Sequence, residues 1–540
     1  MDRHLMSAAA LAVTLICVLP LVGVVAAAAL GSLDTLRQLA ETVLWRYTAT
    51  TFALVVLVAI GSGVLGTLTA WLVVATVFPG RRVLEVALVL PLTFPAYVLA
   101  YAYTDVLDHP GIVQTTLREM MDWGPRDYWF PEIRSLGGAA AMLTLVLYPY
   151  VYLLARAAFK RQAAAPFYAA RALGLAPHAA FLRVSLPMAR PAIAAGLLLV
   201  IMETIADFGT VAHFSVQTLA TGIYTSWFGL ADRGAAAQLA LGLLAFALAV
   251  ALLEHLNRGA ARFTTKGRQE PFIPFRLTGG RAVAAQALCA FPVVFGVLIP
   301  TITLVSMGLR SEQDIFSARY LGFVQNSLLL AGVAAVVTVA AAILLGTQHR
   351  IRPTPAARGA LLIGRLGYAV PGGVIAVGLF VPIARFDNWL DGQMESFFDI
   401  STGLLISGSI WLMIAAYMIR FLAAAIGAYD SGLATVSANT DAAARVLGRS
   451  AWGTVRAVHL PILTPSVLTA FLIVFVDTIK ELPATLILRP FNHDTLAVQA
   501  FRLASDERLN GAAVPSLMIA GIGLLPVLVL CYQIGIRRRV

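Results

Sequence analysis

Runs of about twenty apolar residues, separated by shorter polar stretches, recur along the whole chain. Twelve of them predict membrane-spanning helices: 5–30, 48–78, 82–107, 137–158, 190–212 and 235–256, then 283–308, 321–347, 358–384, 402–428, 462–488 and 511–535. The intervening stretches are of two kinds. One kind is basic. The other, at about 31–47, 108–136, 213–234, 309–320, 385–401 and 489–510, mixes charges of both signs with aromatic side chains. The pattern predicts an all-α polytopic membrane protein of about 12 spans.

Composition agrees. Of 540 residues 59% are apolar and only 12% charged, with a mean hydropathy of +0.83, too apolar for a soluble fold of this length. The net charge of +11 raises nucleic acid as a partner, but its distribution argues for topology instead. With the N-terminus inside, the inner segments hold 26 of the 39 Lys and Arg, a count that includes Arg420, and only 6 of the 28 acids. That bias places both termini in the cytoplasm. A basic start followed by an apolar run and Ala26–Ala29 resembles a cleaved signal peptide, but the run is long enough to span. Cys17, Cys289 and Cys531 fall inside spans and read as packing thiols, without disulfide or metal-ligand spacing.

One segment occurs twice. Ala169-Ala170-Arg171-Ala172-Leu173-Gly174 precedes Leu186-Pro187, and Ala443-Ala444-Arg445-Val446-Leu447-Gly448 precedes Leu460-Pro461, at a single offset of 274 residues that also pairs Val184 with Val458 and Pro191 with Pro465. Each copy suits a helix–turn–helix on the inner membrane face. The alanines favour helix, and the glycine allows the positive φ that ends it. Pro177 or Ser450 starts a second short helix, and Pro187 or Pro461 breaks it before the next span. Six spans per half make the halves parallel repeats about an axis along the membrane normal, with a substrate path between them. The expected organisation is a first transmembrane domain at 1–256 with a loop at 160–187, a basic linker at 257–282, and a second domain at 283–540 with a loop at 430–461.

The duplicated segment resembles the EAA loop of binding-protein-dependent ABC importer permeases, although the family's Glu position holds Tyr168 and Ala442, with Asp441 one residue early. Two further stretches are similar to the ferric-iron permeases with two fused transmembrane domains. They are Glu203-Thr204-Ile205-Ala206-Asp207-Phe208-Gly209 and Lys480-Glu481-Leu482-Pro483-Ala484-Thr485, the latter continuing into Leu488-Arg489-Pro490-Phe491-Asn492. The resemblance implies a type I ABC importer permease in a bacterial inner membrane. It also implies two cytoplasmic ATPase subunits gripping the loops around Gly174 and Gly448, and one periplasmic binding protein delivering the cargo. Thiamine and polyamine permeases share these loops, so they remain alternative cargoes. Only Lys160, Lys266 and Lys480 are available for a phosphate-binding loop, and none is followed by Ser or Thr. ATP and magnesium are therefore expected on partner subunits, with no cofactor in this chain and no covalent chemistry.

Four acids fall inside spans, where charge is costly and usually functional. The same offset pairs Glu203 with Asp477 and Asp207 with Glu481. Four residues apart, each pair would share a helical face, about 20 and 25 Å from the inner surface at ~1.5 Å per residue. One reading is an acidic path for a hard cation held only transiently. The other is local capping or pairing at the outer helix end, for example of Glu481 with Lys480. His213 and His493 read as loop residues rather than ligands. The 108–136 loop, with Trp123, Tyr128, Trp129 and Phe130, suits either a docking surface or an interfacial aromatic belt. An ion-coupled secondary transporter would need no matched inner loops, and no catalytic constellation supports a membrane enzyme.

Overall fold

The computed structural model describes residues 2–162, 165–257 and 274–536. Its first half contains α1 (Asp2–Ala29), α2 (Leu33–Ala75), α3 (Arg81–Ala87), α4 (Ala96–Leu107), α5 (Ile112–Met121), α6 (Leu136–Arg161), α7 (Ala165–Ala172), α8 (Pro177–Ala206), α9 (Gly209–His213), α10 (Leu219–Tyr224) and α11 (Arg233–Asn257). The second half contains α12 (Gly280–Leu309), α13 (Ala318–Ile351), α14 (Pro355–Leu366), α15 (Gly372–Phe398), α16 (Ile410–Leu433), α17 (Ala438–Val446), α18 (Trp452–Ile479), α19 (Pro483–Leu488), α20 (Leu496–Ser505) and α21 (Leu509–Ile536). Among the described residues eleven helices are long and apolar enough to cross a membrane, or twelve if one bent pair counts as a span. The chain is an all-α, multi-pass membrane protein.

The 274-residue offset reappears in the helix boundaries. It carries the start of α3 onto that of α14, α6 onto α16, and α9 onto α19. Each half builds the same three-helix core, α2 with α6 and α8, and α13 with α16 and α18. The opening helix of each half crosses over. α1 packs on α15 and α13 of the second half, while α12 packs on α4 and α6 of the first. Gly23 and Gly378 make the α1–α15 crossing close: a Cβ on Gly23 would lie 1.9 Å from the Gly378 carbonyl oxygen. Small residues permit such backbone approach, and a methyl group at either position would drive the helices apart.

Several elements differ from the periodicity reading. The 82–107 run is not one straight span: segments Arg81–Thr93 and Ala96–Met121 meet at 94°. Pro91 and Pro95 lie at this bend, where they withhold backbone donors from a continuous helix. Helix α8 stops at Ala206 and α18 at Ile479, and short helices α9 and α19 follow in place of continuous spans to 212 and 488. Pro187 and Pro461 do not break their helices. A π-helical turn at Phe181–Ser185, and another at Val455–His459, carries each chain into the span. The wider turn makes room for a proline ring that an α-helical turn would clash with. Of the 257–282 linker, residues 258–273 lie outside the described residues, as do Arg537, Arg538 and Arg539. Beyond them Phe275–Arg276 forms a two-residue parallel ladder with Thr76–Val77 at the end of α2.

Candidate translocation site and coupling loops

The breaks after α8 and α18 set the site. Asp207 follows the last residue of α8, and its Oδ1 accepts from the Thr210 and Val211 amides (3.1 and 3.2 Å) at the start of α9. Glu481 does the same for α19, accepting from Ala484 N (2.9 Å), Thr485 N (3.1 Å) and Thr485 Oγ1 (2.7 Å). These two acids are N-terminal caps, satisfying donors that a helix start leaves free. Each pair is thus split by a helix end and does not share a helical face. All four acids stand at the ends of these two helices, Glu203 and Asp477 in the last turn and Asp207 and Glu481 just beyond it, so the local capping expected at a helix end is what Asp207 and Glu481 provide.

All four acids nevertheless line one cavity of about 90 Å³ between the halves, with Arg420, Lys480, Tyr97, Tyr150 and Phe208. The offset places Val146 opposite Arg420 and Ala206 opposite Lys480, so the acids are duplicated and both cations come from the second half. Lys480 Nζ pairs with Asp477 at 2.8 Å. Arg420 donates to Glu481 Oε1 at 3.3 Å and lies 3.8 Å from Glu203, tying the halves together. Its guanidinium also sits over the Phe421 ring, 5.6 Å from the centroid. Gly372 leaves the room, since a Cβ there would lie 2.2 Å from Arg420 Nη1 and 2.7 Å from Glu481 Oε1. Arg420 therefore belongs inside the protein and not among the inner-segment basic residues. The signal was present: a lone arginine in the run Met418-Ile419-Arg420-Phe421-Leu422, which a span ending near 428 put too close to the inner surface.

A larger cavity of about 640 Å³ continues from Tyr150, Asp477 and Lys480 toward Arg81 and Arg82. Glu85 on its wall binds Arg156 and, at 2.8 Å, Lys160. The second half repeats this tie between the same two helices with charges exchanged, Arg365 on α14 pairing with Asp430 on α16 at 2.5 Å. At the opposite end the halves are closed on each other. Arg134 holds Glu507 through two hydrogen bonds (2.7 and 2.8 Å) and Asp108 through a third (3.1 Å). Hydrogen bonding from Arg134 holds the Glu507 carboxyl below the ordinary range. Phe208 stacks on Tyr224 at 3.7 Å and meets Phe501 at 5.4 Å.

The duplicated segments fold alike but are anchored differently. Gly174 has φ +88° and Gly448 φ +75°, and Leu175 N and Arg449 N reach back to the carbonyls of Ala170 and Ala444. Ala170 and Ala444 are buried, whereas Ala169, Ala443, Leu173 and Leu447 face outward. Arg171 donates to the Leu175 carbonyl. Leu186 and Leu460 are half-buried where the π turns end; Pro187 is half-buried and Pro461 exposed. In the first copy buried Phe167 packs with Trp71 (5.5 Å) beside Phe159 and Phe181. In the second, Asp441 accepts from Arg350 Nε (2.6 Å) and pairs with His459 Nε2 (2.7 Å), and Arg350 also donates to the Leu433 and Val436 carbonyls. Burial works to raise the Asp441 carboxyl, but the His459 and Arg350 hydrogen bonds outweigh it and hold the group below the ordinary range.

His213 is a half-buried residue of α9, 3.0 Å from Thr104 Oγ1, and His493 sits in the turn after α19. Cys17 and Cys289 are buried and free. Among the described residues no group of three or more His, Cys, Asp or Glu is placed to hold a metal ion. Part of the 108–136 stretch is helical (α5), with Trp123 stacked on Tyr128 and Trp129 exposed.

No protein-family model matches the chain. It is 27% identical to the Fe(3+)-transport system permease protein FbpB 2 of Haemophilus influenzae, over 89% of this chain and 88% of that one. Identity is 23% to the putative ferric transport system permease protein FbpB 1 of the same organism (74% and 63% covered). It is 26% to the probable ABC transporter permease protein y4fN of Sinorhizobium fredii (81% and 78%). Over most of its length the chain is thus similar to ABC transporter permeases, two of them named for ferric iron. Such a permease translocates and does not catalyse, and it works with ATPase and binding-protein partners. In this permease the acid-lined cavity between the halves and the twin loops are the features open to those roles.

Proposed function

We propose that this permease carries ferric iron across a bacterial inner membrane, with both termini cytoplasmic. In this reading one periplasmic binding protein delivers the ion to the face closed by Arg134 and Glu507. Two ATPase subunits engage the inner loops, one at Ala169, Ala170, Arg171, Gly174, Leu186 and Pro187, the other at Ala443, Ala444, Arg445, Gly448, Leu460 and Pro461. They supply ATP and magnesium, and this chain needs no cofactor. The observation that carries the reading is the cavity where both halves present carboxylates, Glu203 with Asp207 and Asp477 with Glu481, ligand chemistry that suits a hard trivalent cation. The ferric names of two relatives that align over most of this chain support the same cargo. Alternating access is supported by closure on one face, a 640 Å³ cavity toward the other, and a polar link at Arg420 between the halves.

The test is uptake of radiolabelled iron by vesicles containing the whole complex, with ATP hydrolysis measured in the same sample. Asp207 and Glu481 cap helices, so their amide variants report on folding as well as transport. Glu203→Gln and Asp477→Asn isolate the charge. At an effective dielectric near 20, unit charges ~4 Å apart interact by about 4 kcal/mol, and each ~1.4 kcal/mol lost is tenfold in affinity. The double variant should lose iron uptake by roughly 10–100-fold with the binding protein still docking. Full uptake would leave these acids as structural partners. Uptake of thiamine or putrescine in place of iron would move the cargo while keeping the importer class.

Coupling has its own test. A Cβ on Gly174 or Gly448 would meet nothing within 4 Å, so a substitution there acts through the backbone alone. Left-handed φ costs a side-chain-bearing residue about 1–2 kcal/mol, a factor of roughly 5–30 in the population of the turn. Gly174→Val and Gly448→Val should each lower transport-stimulated ATP turnover by that order, with normal amounts of protein in the membrane. Normal turnover in the double variant would remove the loops from coupling.

A further inference from the structure

The end of α1 and the start of α11, away from the inner loops, enclose with the middle of α15 a separate pocket of about 180 Å³. Its polar lining is Arg233 from the first half with Arg385 and Asn388 from the second, beside apolar residues that include Leu30 and Val381. All three polar side chains can donate hydrogen bonds, and no carboxylate lines the pocket. Asp232, next to Arg233 in sequence, accepts from the Ala235 amide at 2.9 Å. The Arg233 guanidinium is held over the rings of Trp227 and Phe380, 5.8 and 5.5 Å from their centroids, which orients it without neutralising it. Among the described residues neither Arg233 nor Arg385 has a carboxylate partner. Two uncompensated arginines converge here, on the face where the charge distribution of the chain is otherwise poor in cations.

We propose that this pocket binds the phosphodiester of an anionic phospholipid, clasped between Arg233 and Arg385. Planar guanidinium groups match phosphate oxygens through paired, charge-assisted hydrogen bonds. The level is right for a headgroup, because Leu30 directly follows α1 and Arg233 opens α11. A lipid is favoured over free phosphate because the pocket-lining Leu30 is exposed, as are Phe386 and Trp389, next in sequence to Arg385 and Asn388, large apolar side chains suited to acyl chains and the membrane interface. Since the two arginines belong to different halves, a bound lipid bridges them on the closed face. This inference is independent of the iron reading.

Native mass spectrometry of the purified full-length permease, incubated with phosphatidylglycerol or phosphatidylcholine, tests it. Wild type should retain about tenfold more phosphatidylglycerol than Arg233→Gln/Arg385→Gln, and millimolar inorganic phosphate should not displace the lipid. Arg385→Gln alone, at an exposed position, should show a partial loss with an unchanged unfolding midpoint, which keeps the test valid if the double variant folds poorly. Equal retention by wild type and Arg385→Gln would overturn the proposal, as would no preference for phosphatidylglycerol over phosphatidylcholine. Displacement by phosphate would make this a free-anion site and overturn the lipid assignment.

Discussion

Arg420→Leu should destabilise the permease by about 3–5 kcal/mol, the range for removing one partner of a buried ion pair. The Glu481 side chain, only 1% exposed, would lose its counter-charge while staying desolvated, and Glu203 would lose the link to the other half. The capping bonds from Ala484 and Thr485 soften this loss but do not neutralise the charge. Arg420→Met combined with Glu481→Gln should recover most of the stability, because the double change removes the charge and keeps a cap acceptor. Thermal unfolding of the three proteins in nanodiscs measures the effect. A midpoint for Arg420→Leu equal to wild type would mean that the cavity is too well hydrated for the pair to matter. A second consequence concerns cargo: without Arg420 the cavity becomes more acidic, so a cation should be held longer and released more slowly.

The two coupling segments should fail in different ways. Phe167→Ala should loosen the first by about 3–5 kcal/mol, the usual loss for a buried phenylalanine, and salt should barely change that figure. Asp441→Ala should loosen the second by roughly 1.5–3 kcal/mol, the worth of hydrogen bonds to a charged group, and salt should weaken the wild-type contact as well. The pH response differs too. A carboxyl held below its unfolded value contributes fully above about pH 4, and that contribution disappears as pH falls through the lower folded value. Acid should therefore open the second segment before the first. Hydrogen exchange over residues 165–185 and 438–459 reads both. Equal salt and acid responses in the two would show that the aromatic and ionic anchors are not what holds them.

Much of this was legible in the sequence because apolar run length and the 274-residue offset are direct records of helix position and duplication. The positive φ at Gly174 and Gly448 was expected because each glycine stands where a helical alanine run ends. The 94° bend before α4 was hidden because an apolar run has the same hydropathy straight or folded, although Pro91 and Pro95 marked it. The π-helical turns before Leu186 and Leu460 were missed for a related reason: proline predicts loss of a donor, not how the neighbouring turn absorbs it. Asp207 and Glu481 were recognised as important, but spacing alone does not reveal that a helix ends between the members of each pair. Arg420 was missed because charge counting by segment treats any cation as a topology marker, whereas this one lies in the middle of α16 and is buried.

The exchange of opening helices also dictates an order of assembly. During synthesis α1 enters the membrane long before α15 exists, so the surface around Gly23 must wait without its partner while most of the chain is made. The first half alone is then an incomplete folding unit, and a truncated product would expose that surface to quality-control proteases. Joining both halves in one polypeptide guarantees that each waiting helix meets its own counterpart, at equal dose, without a search through the bilayer.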